Sequence, residues 1–410
     1  MANHTVSFTT VSGWTTPSNQ TVAVSANSTA TTNGIYVSQA PPPFTYTTNN
    51  GTITITGYTG SGGAVTIPST INGLPVTSIG YEAFYTDQSV TSIIIGTNVI
   101  SIGELAFGNC FSLTSVTIPN SVTSIGYQAF YTCTSLSSVT IPNSITNIGG
   151  EAFVSCSLTN VSIPESVTSI GYQAFYDNTL TAITVDSNNL AYISVAGVLF
   201  NKSQTSLIQY PASKAGTSYT IPNSVTSIGG VAFEGSSLTS VTIPNGVTSI
   251  GQFAFADSSL TNVTIPASVA SFGLFDYAFY GCSSLTGAYF QGNAPIVDST
   301  EFEYDNNVTV YYLPGTSGWS STFANRPTAF WFLLNPLILN SEPSFGVQTN
   351  RFGFTISWAT NIPVVVEACT NLANPVWQPM QTNALTGGTS YFSDAKWTNY
   401  HSRFYRISSP

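Results

Sequence analysis

Residues 112–133 read SLTSVTIPNSVTSIGYQAFYTC. The chain then repeats itself: 135–156 is SLSSVTIPNSITNIGGEAFVSC and 157–178 is SLTNVSIPESVTSIGYQAFYDN. Two further copies, SLTSVTIPNGVTSIGQFAFADS and SLTNVTIPASVASFGLFDYAFYGC, run from 237 to 282. The Ile of the Ile-Pro step falls at 118, 141, 163, 221, 243 and 265, a spacing of 22 or 23 broken by one gap of 58. A fixed period of this length means one structural unit stacked many times.

One coil can be read from its residues. Val116 and Ile118 alternate with polar residues, so a short strand points both inward. Pro119 stops the strand, since it has no N–H for a ladder. Val122 and Ile125 mark a second short extended segment. Gly126 is expected to permit a bend, and Tyr-Gln-Ala-Phe-Tyr to make a short helical turn with Ala129 and Phe130 inward. A period of roughly 20–29 residues with Leu, Val and Ile at fixed offsets is the signal of a leucine-rich-repeat solenoid. A mainly β, right-handed solenoid of about ten coils follows.

Only 6% of the 410 residues are charged, net charge is −10, and no Lys or Arg precedes Lys202. Nucleic-acid binding needs clustered cations, so that class is excluded, and an anionic membrane surface is disfavoured. No apolar run of about 18 residues offers a membrane span. The opening MANHTVSFTT lacks the basic-then-apolar pattern of a signal peptide. The Lys-poor, Ser/Thr/Asn-rich composition nevertheless points to an extracellular or cell-surface setting.

Thr181–Val185 continues the strand rank beyond the third copy. The long gap then contains two apolar runs, Val198–Phe200 and Leu207–Tyr210, flanking NKSQTS. This pattern predicts a β-hairpin inserted at about 186–219. The pattern LTxVxIPxxVTxIGxxAFxxC with an inserted GVLFNKxxTxLIQYPA hairpin resembles the BspA-type leucine-rich repeat family. The resemblance covers about residues 53–290, and GAYFQGNAPI…VTVYYLPGTSGW is similar to that family's C-terminal end. It implies a surface or secreted protein acting in adhesion, and it carries no catalytic residue.

The expected division is an incomplete Ig-like β segment at 1–45, the solenoid at 46–290, its cap at 291–330, and a β-sandwich resembling a fibronectin III domain at 331–410. FGFTISWA, PVVVEAC, TSYF and SRFYRI supply alternating strands for the last unit. Five of the seven basic residues lie from Arg326 onward.

The outward position of the first strand recurs as Thr117, Thr140, Ser162, Thr184, Thr220, Thr242 and Thr264. These residues should form a hydroxyl ladder, either a solvent face rich in β-formers or a neutral surface for proteins or glycans. Tyr81/Tyr85, Tyr127/Tyr131 and Tyr172/Tyr176 recur at every second coil, as interface residues or as shields between coils. Cys110, Cys133, Cys156 and Cys282 share one coil position. Stacking at about 4.8 Å lies within disulfide range, but Asn178, Ser236 and Ser258 fill the same column elsewhere, which favours buried free thiols.

His4 and His401 are the only histidines, too few for a nucleophile–His constellation. Asp298, Glu301, Glu303 and Asp305 cluster without Ca²⁺-loop spacing and read as a solvated loop. No catalytic residue, metal site or cofactor is expected. Two readings stand: a non-enzymatic adhesion or recognition solenoid, and a subunit that joins copies of itself into a filament through its terminal β modules. Glycan binding is a third.

Overall fold

The computed structural model describes residues 2–11, 14–26, 28–35, 37–38, 42–272, 276–331, 337–340, 344–357, 363–385 and 388–408. From Gly63 to Phe330 the chain winds through a mainly β solenoid of about 12 turns rather than ten. The count rises because strands beyond the consensus repeats keep the same parallel pairing: Gly287–Phe290 on Asn262–Ile265, then Thr309–Tyr312, then Arg326–Phe330.

Each coil contributes to two strand ranks. The first includes Val90–Ile94, Ser115–Thr117 and Asn160–Ile163. The second includes Ser101–Ile102, Ser124–Ile125, Asn147–Ile148 and Ser169–Ile170, paired in parallel with like residues opposite like. That register makes identical side chains stack into columns. Phe84, Phe107, Phe130, Phe153 and Phe175 form one column with successive ring centroids 5.0 to 5.8 Å apart. Tyr210, Phe233, Phe255, Phe279 and Phe302 form its counterpart.

The segment YQAFY is not helical. Gln128 and Thr132 have φ of 54° and 56°. The N–H groups of Gln128, Phe130 and Thr132 donate to Gly150, Ala152 and Val154 of the next coil, while Ala129, Tyr131 and Cys133 bond back three residues within their own coil. Every second amide is therefore spent between layers. A helix would turn all of them inward and leave the neighbouring coil's carbonyls unpaired.

Gly126 is also not there for a bend. A Cβ on it would meet the Gly103 carbonyl carbon at 2.6 Å, and Gly149 has the same relation to Gly126. The glycine column lets backbones of successive coils touch.

The hydroxyl-rich composition has a matching cause. Ser121, Ser144 and Ser166 donate to Val99, Val122 and Ile145 carbonyls one coil back. Thr123, Thr146 and Thr168 do the same to Ile100, Thr123 and Thr146. Short neutral donors fit between layers too close for charged side chains.

The hairpin separates two cores. Tyr192–Val195 pairs antiparallel with Val198–Asn201, which pairs antiparallel with Ser206–Gln209. The last strand then joins Ser227–Ile228 in parallel, restarting the second rank. Leu199 packs into the first hydrophobic cluster, while Val198 and Phe200 on the opposite face pack into the second. Buried Asn189 anchors the entrance: its amide donates to Pro164 and Val167 carbonyls and accepts from the Ala191 and Tyr192 N–H groups.

At the C-terminal end, two antiparallel sheets enclose Phe354, Ile356, Val364, Val366, Leu385 and Phe392. Arg403 pairs with Asp394 at 2.9 Å and Arg406 with Glu367 at 2.7 Å, so these cations serve their own unit. At the N-terminal end, Ala2–Val6 pairs antiparallel with Gln20–Val24. All five residues of Ala2–Val6 are exposed.

Candidate recognition surfaces

The expected hydroxyl positions stand on the solvent side of the first rank. Thr117, Thr140, Ser162, Thr184, Thr220 and Thr242 are exposed and Thr264 is half-buried. Their buried neighbours explain the placement: Val116 and Ile118, or Val161 and Ile163, point into the core, so the residue between them points out. Register pairs Ser162 with Thr184 and Thr220 with Thr242. The hairpin interrupts the row between Thr184 and Thr220. At the other end, Ile94 stands between Thr66 and Thr117 and is 51% exposed.

Sequence reasoning stopped this row at Thr264, but the structure carries it on through Tyr289 and Tyr311. The signal was available. In GAYF and TVYY, Ala288 and Val310 take the place of the inward Val263, which puts the following tyrosine outward.

The tyrosine pairs share a structural task between coils. The Tyr85 ring lies over Gly108, Tyr127 over Gly150 and Tyr172 over Gly230. Tyr127 Oη donates to Glu151 Oε1 at 2.8 Å and Gln128 Nε2 to Glu151 Oε2 at 2.7 Å. Tyr85 Oη accepts from Asn109 Nδ2 at 3.0 Å, and Tyr176 Oη donates to Glu234 at 2.7 Å. Alternation of tyrosine with glycine is thus one ring covering the next coil's bare backbone. Tyr81, Tyr127 and Tyr172 still leave 61%, 44% and 50% of their surface exposed; Tyr131 is half-buried.

All five cysteines are free and buried. Cys110, Cys133, Cys156 and Cys282 each donate to the carbonyl of the preceding coil's column phenylalanine, at 3.0 to 3.2 Å. Asn178 makes the same bond to Phe153 at 2.7 Å. The column therefore selects short donors. Burial pushes the Cys110, Cys156 and Cys282 thiols up to about 12.

The acidic cluster is not a solvated loop. Glu301 and Asp305 are buried, because Phe302 between them continues the aromatic column and carries its flanks inward. Asp305 follows Phe302 by three residues, the place of Cys282 after Phe279. Burial raises Glu301 to about 8, against a backbone N–H from Ala278 that favours the anion. Burial raises Asp305 to about 7, and Arg326 partly opposes it. Among the described residues no group of three or more His, Cys, Asp or Glu could hold a metal ion. Among them, too, no helix is long and apolar enough to cross a membrane.

Stacked coils with two strand ranks, a phenylalanine column and an outward hydroxyl row define a leucine-rich-repeat solenoid. The chain belongs to the BspA-type leucine-rich repeat family: the model described as "BspA type Leucine rich repeat region (6 copies)" matches residues 64–205 and 210–326. Members of such solenoid families are generally non-enzymatic.

Among solved structures, a leucine-rich repeat protein from Eubacterium ventriosum is 25% identical, covering 76% of this chain and 79% of that one, with a TM-score of 0.50. One from Bacteroides ovatus is 28% identical over 67% of this chain and 70% of that one, TM-score 0.49. A leucine rich cell surface protein from Faecalibacterium prausnitzii is 25% identical over 72% and 97%, TM-score 0.47. No match among curated proteins is significant.

Proposed function

We propose that this protein is a non-enzymatic, extracellular recognition solenoid that adheres to protein ligands through the hydroxyl row of its first strand rank. The observation that carries this reading is the row itself, exposed from Thr117 to Thr242, half-buried at Thr264, and neutral throughout on the parallel strands of the first rank. A long row of neutral donors and acceptors suits a broad protein surface and brings no charge to be desolvated. Residues 46–330 carry the recognition surface in this reading, and 1–45 and 331–410 flank it. Tyr81, Tyr127 and Tyr172 add an aromatic edge.

The test is binding of the intact protein to an array of secreted and matrix glycoproteins. A Thr140→Lys/Ser162→Lys/Thr184→Lys variant should lose binding while keeping its melting temperature. Retained binding by that folded variant overturns the assignment to this face.

A second reading, assembly of copies end to end, is favoured by the N-terminal strand pair. Its strands bond to each other, all five residues of one are exposed, and no described residue before Phe44 enters a hydrophobic cluster. Such an open edge invites another strand. Light scattering across a concentration series decides: growing mass supports assembly, and a constant monomer mass removes it.

A further inference from the structure

The hydroxyl row changes chemistry as it enters the cap. Thr220 is followed in register by Thr242, but Thr264 is followed by Tyr289 and then Tyr311. The two tyrosine rings stack 4.8 Å apart, with planes 10° from parallel. Trp331 packs against Tyr289 at 5.1 Å, tilted by 59°. A Cβ on Gly287 would come within 2.6 Å of the Tyr289 ring and 2.8 Å of Asn262 Oδ1. Glycine at 287 therefore lets the ring lie down against the sheet beside the Asn262 amide.

The result is a groove of about 610 Å³ lined by two kinds of surface. Thr242, Asn262 and Thr264 contribute hydroxyls and an amide, Tyr289 and Trp331 contribute aromatic surface, and Gln291 adds a second amide. None of its described lining residues is Asp, Glu, Lys, Arg or His. The size is that of a small-ligand site, and an aromatic surface beside a few convergent polar groups is the usual composition of one.

A pyranose ring has the complementary chemistry. Its C–H face is apolar and stacks on an aromatic plane, while its hydroxyls both donate and accept, as an amide or a threonine requires. A carboxylate or sulfate on the sugar would lose water here and meet no cation. We propose that this groove binds a neutral oligosaccharide, one sugar stacked on Tyr289 and Trp331 with its hydroxyls bonded to Asn262, Thr242 and Gln291. The groove lies at the cap end of the same row and shares Thr242 and Thr264 with it, but Thr140, Ser162 and Thr184, which test protein adhesion, lie outside the groove, so the two proposals fail separately.

The experiment is affinity electrophoresis and calorimetry of the intact protein, made in a host that does not glycosylate the Asn262-Val-Thr264 sequon. The probes are soluble neutral glucan, mannan, galactan and xylan, with polygalacturonate and heparin as acidic controls. At least one neutral polymer should bind and neither acidic one should. Trp331→Ala and Tyr289→Ala should each weaken binding about tenfold, the loss of one buried aromatic anchor. Trp331→Phe should restore most of it, and Leu190→Ala, at an exposed residue outside the groove and the hydroxyl row, should change nothing, all with unchanged melting temperature. Absence of neutral-sugar binding, preference for the acidic polymers, or full binding by folded Trp331→Ala overturns the proposal. So does a protein ligand that needs Trp331 while no sugar binds.

Discussion

Tyr176 and Glu234 are 58 residues apart in sequence, yet the Tyr176 hydroxyl donates to the Glu234 carboxylate at 2.7 Å. This bond spans the hairpin: Tyr176 closes the last coil of the first half, and Glu234 occupies the equivalent place in a coil of the second. It joins the two halves where the aromatic column is interrupted between Phe175 and Tyr210.

Burial raises Glu234 to about 7, opposed by the Tyr176 hydrogen bond and reinforced by Asp257 and Asp177. Glu301 and Asp305 are raised with it, to about 8 and about 7. An acid raised in the folded state holds its proton after the unfolded chain has lost it, so rising pH favours unfolding. These three groups contribute almost nothing below about pH 3, where both states are protonated. Their destabilisation grows as pH rises from the ordinary carboxylate range and is largely developed by about pH 8, where Glu301 is still completing its ionisation. Urea unfolding at pH 5 and pH 8 should show lower stability at pH 8. A Glu234→Gln/Glu301→Gln/Asp305→Asn variant should flatten that difference, and an unchanged slope would refute the burial argument.

Phe130 lies between Phe107 and Phe153, with centroids 5.2 Å from each, and is fully buried. Phe130→Ala should cost about 3–5 kcal/mol. Because each layer contacts only its neighbours, the loss should be local. Hydrogen exchange should accelerate first at amides near residues 107–153 and leave Phe255 and Phe279 protected. Uniform acceleration along the chain would argue against this nearest-neighbour behaviour.

Gly126→Ala tests the close backbone approach. The added methyl would sit 2.6 Å from the Gly103 carbonyl carbon, which cannot swing aside as a flexible side chain would. A loss of about 1–3 kcal/mol is expected, the scale of overpacking. If bending were the reason for glycine here, alanine would be nearly silent, because Gly126 has no positive φ. A thermal melt separates the two.

Cys133 is fully buried, donates to the Phe107 carbonyl at 3.1 Å, and its thiol is pushed well above its ordinary value by burial. A maleimide should leave it unlabelled in the native protein at pH 8 and label it in urea, since the thiolate is the reactive form. Cys133→Ser keeps a donor and should be milder than Cys133→Val, which leaves the Phe107 carbonyl short of one bond. Equal losses would mean the column selects volume alone.

The repeat made the solenoid legible because its core positions recur: Val116, Ile118, Ala129 and Phe130 have counterparts at Val161, Ile163, Ala174 and Phe175. The YQAFY turn misled because its apolar spacing suits a helical turn, whereas the partners of its amides lie in the next coil. The hydroxyl row was legible in strands built like VTIP. Its continuation through Tyr289 and Tyr311 was obscured where the spacing left the 22-residue period. Glu301 and Asp305 looked solvent-exposed because carboxylates usually are, and only the position of Phe302 in the column reverses that.

By itself, the sequence determined the period, the inward columns and the family, since stacked identical layers must present identical apolar positions to one core. Only the tertiary structure decided what fills the space between layers. Gly126 faces Gly103, the Tyr127 ring covers Gly150, and Gly287 gives Tyr289 room beside Asn262 and Trp331. These relations join residues a whole coil or more apart, and their cause is the few-ångström approach of one backbone to the next, which a single repeat read alone does not contain.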